Sequence, residues 1–125
     1  MVFRGRAHPR NYSLAGATGE SGALAPGLWP LEVLNGLLVA ERRGRLNASR
    51  RNRLAGFLRA LPISLDDETA SQVWTATAGL AERFALSAYD AAYLELAQRH
   101  SLPLATLDRD LRTAATALGL TVLGS

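Results

Sequence analysis

The chain has 125 residues, 48% apolar and 20% charged, with a formal net charge of +3. That balance suits one soluble globular domain and excludes global disorder. The absence of cysteine and the wide separation of the two histidines, His8 and His100, exclude disulfides, thiolate sites and a spaced zinc-ligand pair. All fourteen basic residues are arginine, so a phosphate-loop lysine and a lysine Schiff base are excluded too.

The first twenty-one residues are rich in Gly, Ser and Pro and hold no helical or strand period, so an irregular or disordered arm is expected over 1–21. Met1 to Phe3 and Tyr12 to Ala15 are its only weak strand candidates. Gly16, Gly19 and Gly22 have the wrong spacing for a dinucleotide fingerprint. No apolar run approaches membrane-spanning length, and MVFRGRAHPR lacks the apolar stretch of a signal peptide. A soluble cytoplasmic protein without membrane contact is expected.

From Gly22 onward one domain, 22–125, follows a regular pattern. Ala23 to Pro26 reads as a short strand. Trp29 to Arg43 reads as a helix with Pro30 in its first turn, an apolar face of Leu31, Val33, Leu34, Leu37, Leu38 and Ala40, and Gly44 as its stop. A second helix, about Ala48 to Ala60, turns Leu54, Phe57 and Leu58 inward. Ile63 to Leu65 is a strand, and Asp66 or Asp67 is expected to cap a helix whose apolar positions include Val73, Trp74, Thr77, Leu80 and Phe84. Ser87 opens a further helix to about His100. Pro103 to Thr106 is a strand, Arg109 to Leu118 a helix closed by Gly119, and Leu120 to Leu123 a last strand. Strands separated by such helices imply an α/β class, with a parallel sheet covered on both faces.

Three acids stand near helix starts: Glu32 in LWPLEVLN, Asp90 in SAYDAAYLELA, and Asp108 after the strand in PLATLDRDL. Each has a structural reading. Ser87 and Asp90 form a capping box, Asp108 caps the next helix with Asp110 at the positive end of its dipole, and Glu32 sits in a first turn. The functional reading is that helix starts meet at the carboxyl edge of a parallel sheet, where ligands bind. Gathered carboxylates repel one another unless a cation or proton intervenes, and magnesium takes oxygen ligands together with substrate phosphate. Asn35, one turn after Glu32, and Thr106, two residues before Asp108, are placed to orient a carboxylate or a water.

Those three stretches resemble the successive acid motifs of PIN-domain ribonucleases, specifically the VapC-type toxins of bacterial toxin–antitoxin pairs, over Gly22 to Gly124. The resemblance implies a three-layer α/β/α nuclease domain with a short parallel sheet, dependence on Mg²⁺ or Mn²⁺, RNA as substrate, and a VapB-type antitoxin as partner. It makes Glu32, Asp90 and Asp108 the metal-holding catalytic acids, with Asn35, Thr106 and Asp110 in support. The family normally opens on a buried central strand ending in Asp. Here Arg4, Gly5 and Arg6 follow Phe3, and Glu20 is the only acid before Glu32. The central first strand is therefore expected to be absent or degenerate, leaving an N-terminally incomplete domain and a weakened or lost activity.

The expected function is thus a metal-dependent endoribonuclease acting as a toxin. The alternative is a catalytically dead remnant that only binds an antitoxin or associates with itself as a homodimer. Arg42, Arg43 and Arg45 lead the densest basic region, a candidate contact for RNA phosphates or simply a solvated face.

Overall fold

In the computed structural model, which describes residues 2–3 and 22–124, Val2–Phe3 (β1) and Ala23–Pro26 (β2) lead into Trp29–Arg42 (α1) and Ala48–Arg59 (α2). Then come Ile63–Asp66 (β3), Thr69–Gln72 (α3), a π-helical turn at Val73–Thr77, and Ala78–Phe84 (α4). Ala88–His100 (α5), Leu104–Ala105 (β4), Arg109–Ala117 (α6) and Val122–Leu123 (β5) complete the order. Apart from Val2–Phe3, the arm expected over 1–21 lies outside the described residues, and so do Tyr12 to Ala15, Gly16, Gly19 and Glu20.

The class is α/β, with helices and short strands in keeping with a three-layer α/β/α fold. The strands run in the order β3-β2-β1-β4-β5. β2 pairs with β3 and β4 with β5 in parallel, as expected, but β1 is antiparallel to both its neighbours. The centre of the sheet thus departs from the all-parallel expectation. Val2 stands opposite both Leu24 and Leu104, so the two residues of β1 occupy the slot expected to be empty or degenerate. Pairing there relieves backbone groups that would each cost about 1–3 kcal/mol if buried unpaired. Since β2, β3, β4 and β5 share one direction, their carboxyl ends share one edge.

The described chain forms two compact units, Met1–Gly27 with Ile63–Ser125, and Leu28–Pro62. In the first, β2 is buried along its whole length, and its small alanines suit a strand enclosed on both faces. Its core is Leu24, Leu80, Ala91, Leu94, Leu96, Ala97, Leu104, Leu111, Ala114 and Ala115. α5 supplies four of these and packs on β1, β2, β4 and α6. Leu94, Leu96 and Leu104 are the largest fully buried leucines.

In the second unit α1 starts with Pro30 in its first turn and ends before Gly44, whose φ of +75° suits glycine. α2 is capped by Asn47, whose side-chain oxygen accepts the Arg50 N–H at 2.8 Å. Neither helix contains a buried residue. The apolar faces expected to turn inward stay partly outside: Leu31 is 72% exposed and Phe57 61%. Two helices packed on each other have one inner face each, too little to enclose a broad apolar stripe.

Two expectations in the first unit also fail. Neither Asp66 nor Asp67 caps α3; Glu68 holds that position without a side-chain bond. Asp66 instead ends β3, where its carboxylate accepts hydrogen bonds from Arg99 and Thr69. Trp74, expected to face the core, is 87% exposed. The π turn widens the helix and shifts its phase, so residues before and after it no longer share one stripe. Thr77, inside the turn, is buried with no hydrogen-bond partner for its hydroxyl among the described residues.

Candidate functional site

Asp90 is placed by the start of α5. Ala85, at φ 54°, ends α4 in a left-handed turn, and Ser87 follows in an extended conformation as the cap of α5. The Ser87 hydroxyl accepts the Asp90 N–H at 3.1 Å, which satisfies one orphan donor of the first turn. That fixes where the half-buried Asp90 side chain leaves the helix.

Asp108 is placed by the turn between β4 and α6. Thr106 Oγ1 accepts the Asp108 N–H at 3.1 Å, and Asp108 Oδ1 accepts the Leu111 N–H at 2.8 Å. The expected cap is therefore formed, and Thr106 acts on the backbone of Asp108. Arg112 secures the turn from behind: its Nη1 donates to the carbonyls of Thr106 at 3.1 Å and Gly124 at 2.9 Å. Gly124 has φ +115°, and a Cβ there would lie 2.7 Å from the Thr106 carbonyl oxygen. Only glycine fits this crossing of chains. Asp110, in the first turn of α6, is exposed beside Asp108.

Electrostatics links these acids. Burial, and then the negative charge of Asp108, raises Asp90 above its ordinary pKa; the Ser87 side chain, by hydrogen bonding to the carboxyl, only partly opposes this, and Asp110 adds to the rise. Asp108 and Asp110 thus act on Asp90 through their charge, but the three carboxylates do not come within the 4.8 Å of one another that marks the one close acidic group among the described residues. The donors are all oxygen, a set that suits Mg²⁺ or Mn²⁺ and not softer metals. With its dipole pointing positive there, each helix start also lowers the cost of collecting negative charge.

Glu32 and Asn35 belong to the second unit, in the first two turns of α1, and both are exposed. Arg42 ends that helix, with Arg43 and Arg45 in the turn that follows; all three are exposed as well.

A second acidic group was not foreseen. One carboxylate oxygen from each of Asp66, Asp67 and Glu68 lies within 4.8 Å of the others, a spacing that would admit a metal ion. Arg99 already meets this group, however, at 2.6 Å from Asp66 and 3.2 Å from Glu68, and also pairs with the buried Glu95 at 2.7 Å. Burial would raise Asp66, but the bonds from Arg99 and Thr69 outweigh it and hold the carboxyl below its ordinary pKa. Bonds to Glu95 and then to Asp66 push Arg99 further into its charged form. The guanidinium supplies here the positive charge that a metal would bring, and ties the end of β3 to α5. The i,i+4 spacing of Glu95 and Arg99 was a signal for the pair; the link to Asp66, across 33 positions of sequence, left none.

No curated protein matches the chain. The family model for the PIN domain matches residues 3–117. PIN domains are generally nucleases that act on RNA and use divalent metal ions. No helix among the described residues is long and apolar enough to cross a membrane. A match extending over most of its length means that the chain belongs to the PIN-domain family.

Proposed function

We propose that the chain is a metal-dependent endoribonuclease and the toxin of a VapC-type toxin–antitoxin pair, with a VapB-type antitoxin as its partner in the cytoplasm. The observation that carries this reading is the half-buried Asp90 in the first turn of α5, which packs on α6, the helix that Asp108 caps and whose first turn holds Asp110; both charges act on Asp90. A site built of mutually repelling carboxylates is a site prepared for a cation.

Within the first unit, Asp90 and Asp108 would hold Mg²⁺ or Mn²⁺, with Asp110 and Thr106 in support. The metal's contribution, when bound, is to lower the pKa of a water and to neutralise charge developing on the phosphate. The chain's own part is positional. Ser87 and Thr106 fix the backbones that carry the acids, and Arg112 keeps the Asp108 turn in place.

A second reading is a remnant that binds an antitoxin or its own copy without cleaving. It is favoured by one observation: the central β1 is two residues long, antiparallel, and followed in sequence by Arg4, Gly5 and Arg6, where the family has an acid. RNA cleavage by the folded chain, checked by circular dichroism, separates the two. The nuclease reading expects cleavage with Mg²⁺ or Mn²⁺ that falls to background in EDTA and in Asp108→Asn. A folded chain that never cleaves supports the remnant. The toxin role expects growth arrest on induction, relieved by an antitoxin encoded beside it.

A further inference from the structure

α1, α2 and the turn between them hold seven of the fourteen arginines. Among the described residues only Arg51 of these seven has an acidic partner, Glu41. The other six, Arg42, Arg43, Arg45, Arg50, Arg53 and Arg59, are exposed. On α2, Arg51, Leu54, Ala55 and Leu58 are half-buried, while Arg50, Arg53 and Phe57 are exposed at i, i+3 and i+7, along one outer stripe. Like charges so placed repel one another, and the repulsion is relieved by a polyanion.

The makeup of this stripe says which polyanion. The exposed residues of α2 are Ala48, Ser49, Arg50, Asn52, Arg53, Gly56, Phe57 and Arg59, with Phe57 the only large apolar group among them. The centre of a protein interface is depleted of charge and needs several apolar anchors. A charged helix face carrying an isolated aromatic ring suits single-stranded nucleic acid instead, where arginines follow the phosphates and the ring stacks on a base.

We propose that the Leu28–Pro62 unit is a grip for single-stranded RNA, in which Arg42, Arg43, Arg45, Arg50 and Arg53 neutralise phosphates and Phe57 stacks on a base. The choice of RNA rests on the nuclease reading above. Binding is therefore measured apart from cleavage, so that either can fail alone.

The test uses the full chain in EDTA and a short fluorescein-labelled single-stranded RNA, with anisotropy read across a salt series. Arg50→Gln/Arg53→Gln is expected to make the slope of log affinity against log salt shallower by about 1.4, as for two lost phosphate contacts on a single strand. Arg50→Lys/Arg53→Lys should keep the parent slope. Phe57→Ala should weaken binding roughly tenfold at every salt concentration and leave the slope unchanged. If the glutamine variant loses helix content by circular dichroism, Arg42→Gln/Arg43→Gln, outside α2, gives the same reading of slope. Parent-like slope and affinity in folded glutamine variants would overturn the grip. So would a dimer dissolved by these substitutions while RNA binding stayed unchanged, since the stripe would then serve a second copy. Full binding by a chain that never cleaves leaves the grip standing and removes the nuclease reading.

Discussion

The two units of the chain divide its physical tasks. Leu28–Pro62 carries seven arginines against two acids, a formal charge of +5, and neither of its helices has a buried residue. The other unit carries seven arginines against nine acids, −2, and contains every buried apolar side chain among the described residues. A carboxylate site does not attract phosphates by itself, and a bare basic helix pair does not hold a metal. The contrast teaches that stability and acidity are concentrated in one unit, and positive charge in the other.

The sharpest way to break that comparison is to damage the core. Leu94 is fully buried, so Leu94→Ala should cost about 3 kcal/mol in urea denaturation, through lost transfer energy and a residual cavity. Nearly as large is the expected effect of Arg99→Met. It strands the buried carboxylates of Asp66 and Glu95 and should also cost about 3 kcal/mol by the same measurement. If Arg99→Met proved neutral, the ion cluster would be an ornament of the fold and not one of its ties.

Two acids in this unit should respond to pH with opposite sign. Asp90 has a raised pKa in the folded chain, so just above its ordinary value the folded state keeps a proton that the unfolded state has lost. Without metal, its contribution to stability therefore falls as pH rises through that window, and Asp90→Asn should flatten the fall in thermal melts. Asp66 is held low, so its contribution is present above its ordinary pKa and is lost as pH drops through the lowered value. Added Mg²⁺ should raise the melting temperature most where Asp90 is ionised, and little in Asp90→Asn.

The smallest effects test the edges of the contrast. Thr77→Val removes a buried hydroxyl without a partner among the described residues, and should stabilise the chain by about 1 kcal/mol in urea melts. Leu31→Ala, in the unit without buried residues, should stay within about 0.5 kcal/mol. A larger loss at Leu31 would mean that this face packs against something in solution.

Helix starts and stops were the readable part of the fold. Pro30, Gly44, Ser87, Asp108 and Gly119 each act through the backbone of their own neighbourhood, and each marks the start or end of a helix where its chemistry implies. Side-chain direction was less readable. The phase shift at Val73–Thr77 comes from one wide turn with no residue signature, and it sends Trp74 outward. Asp66 had two acceptable uses by sequence, as a cap or as an ion-pair partner, and only the approach of Arg99 decides between them. Of the acids proposed for the site, Asp90 and Asp108 are read from local helix chemistry, whereas their mutual repulsion depends on α5 and α6 packing together. The reversed direction of β1 was beyond reach, because two residues carry no pattern that distinguishes parallel from antiparallel pairing.

A sheet whose middle rung is two residues long cannot rely on its own ladder to join β2 to β4. α5 crosses that weak seam, packing on β2 and β4, and its Arg99 holds the end of β3 as well. The helix thus works as a brace across two half-sheets. In amide exchange, the protected kernel should be α5, with Leu94 and Leu96 slowest of all, while the amides of β1 open and close ahead of global unfolding.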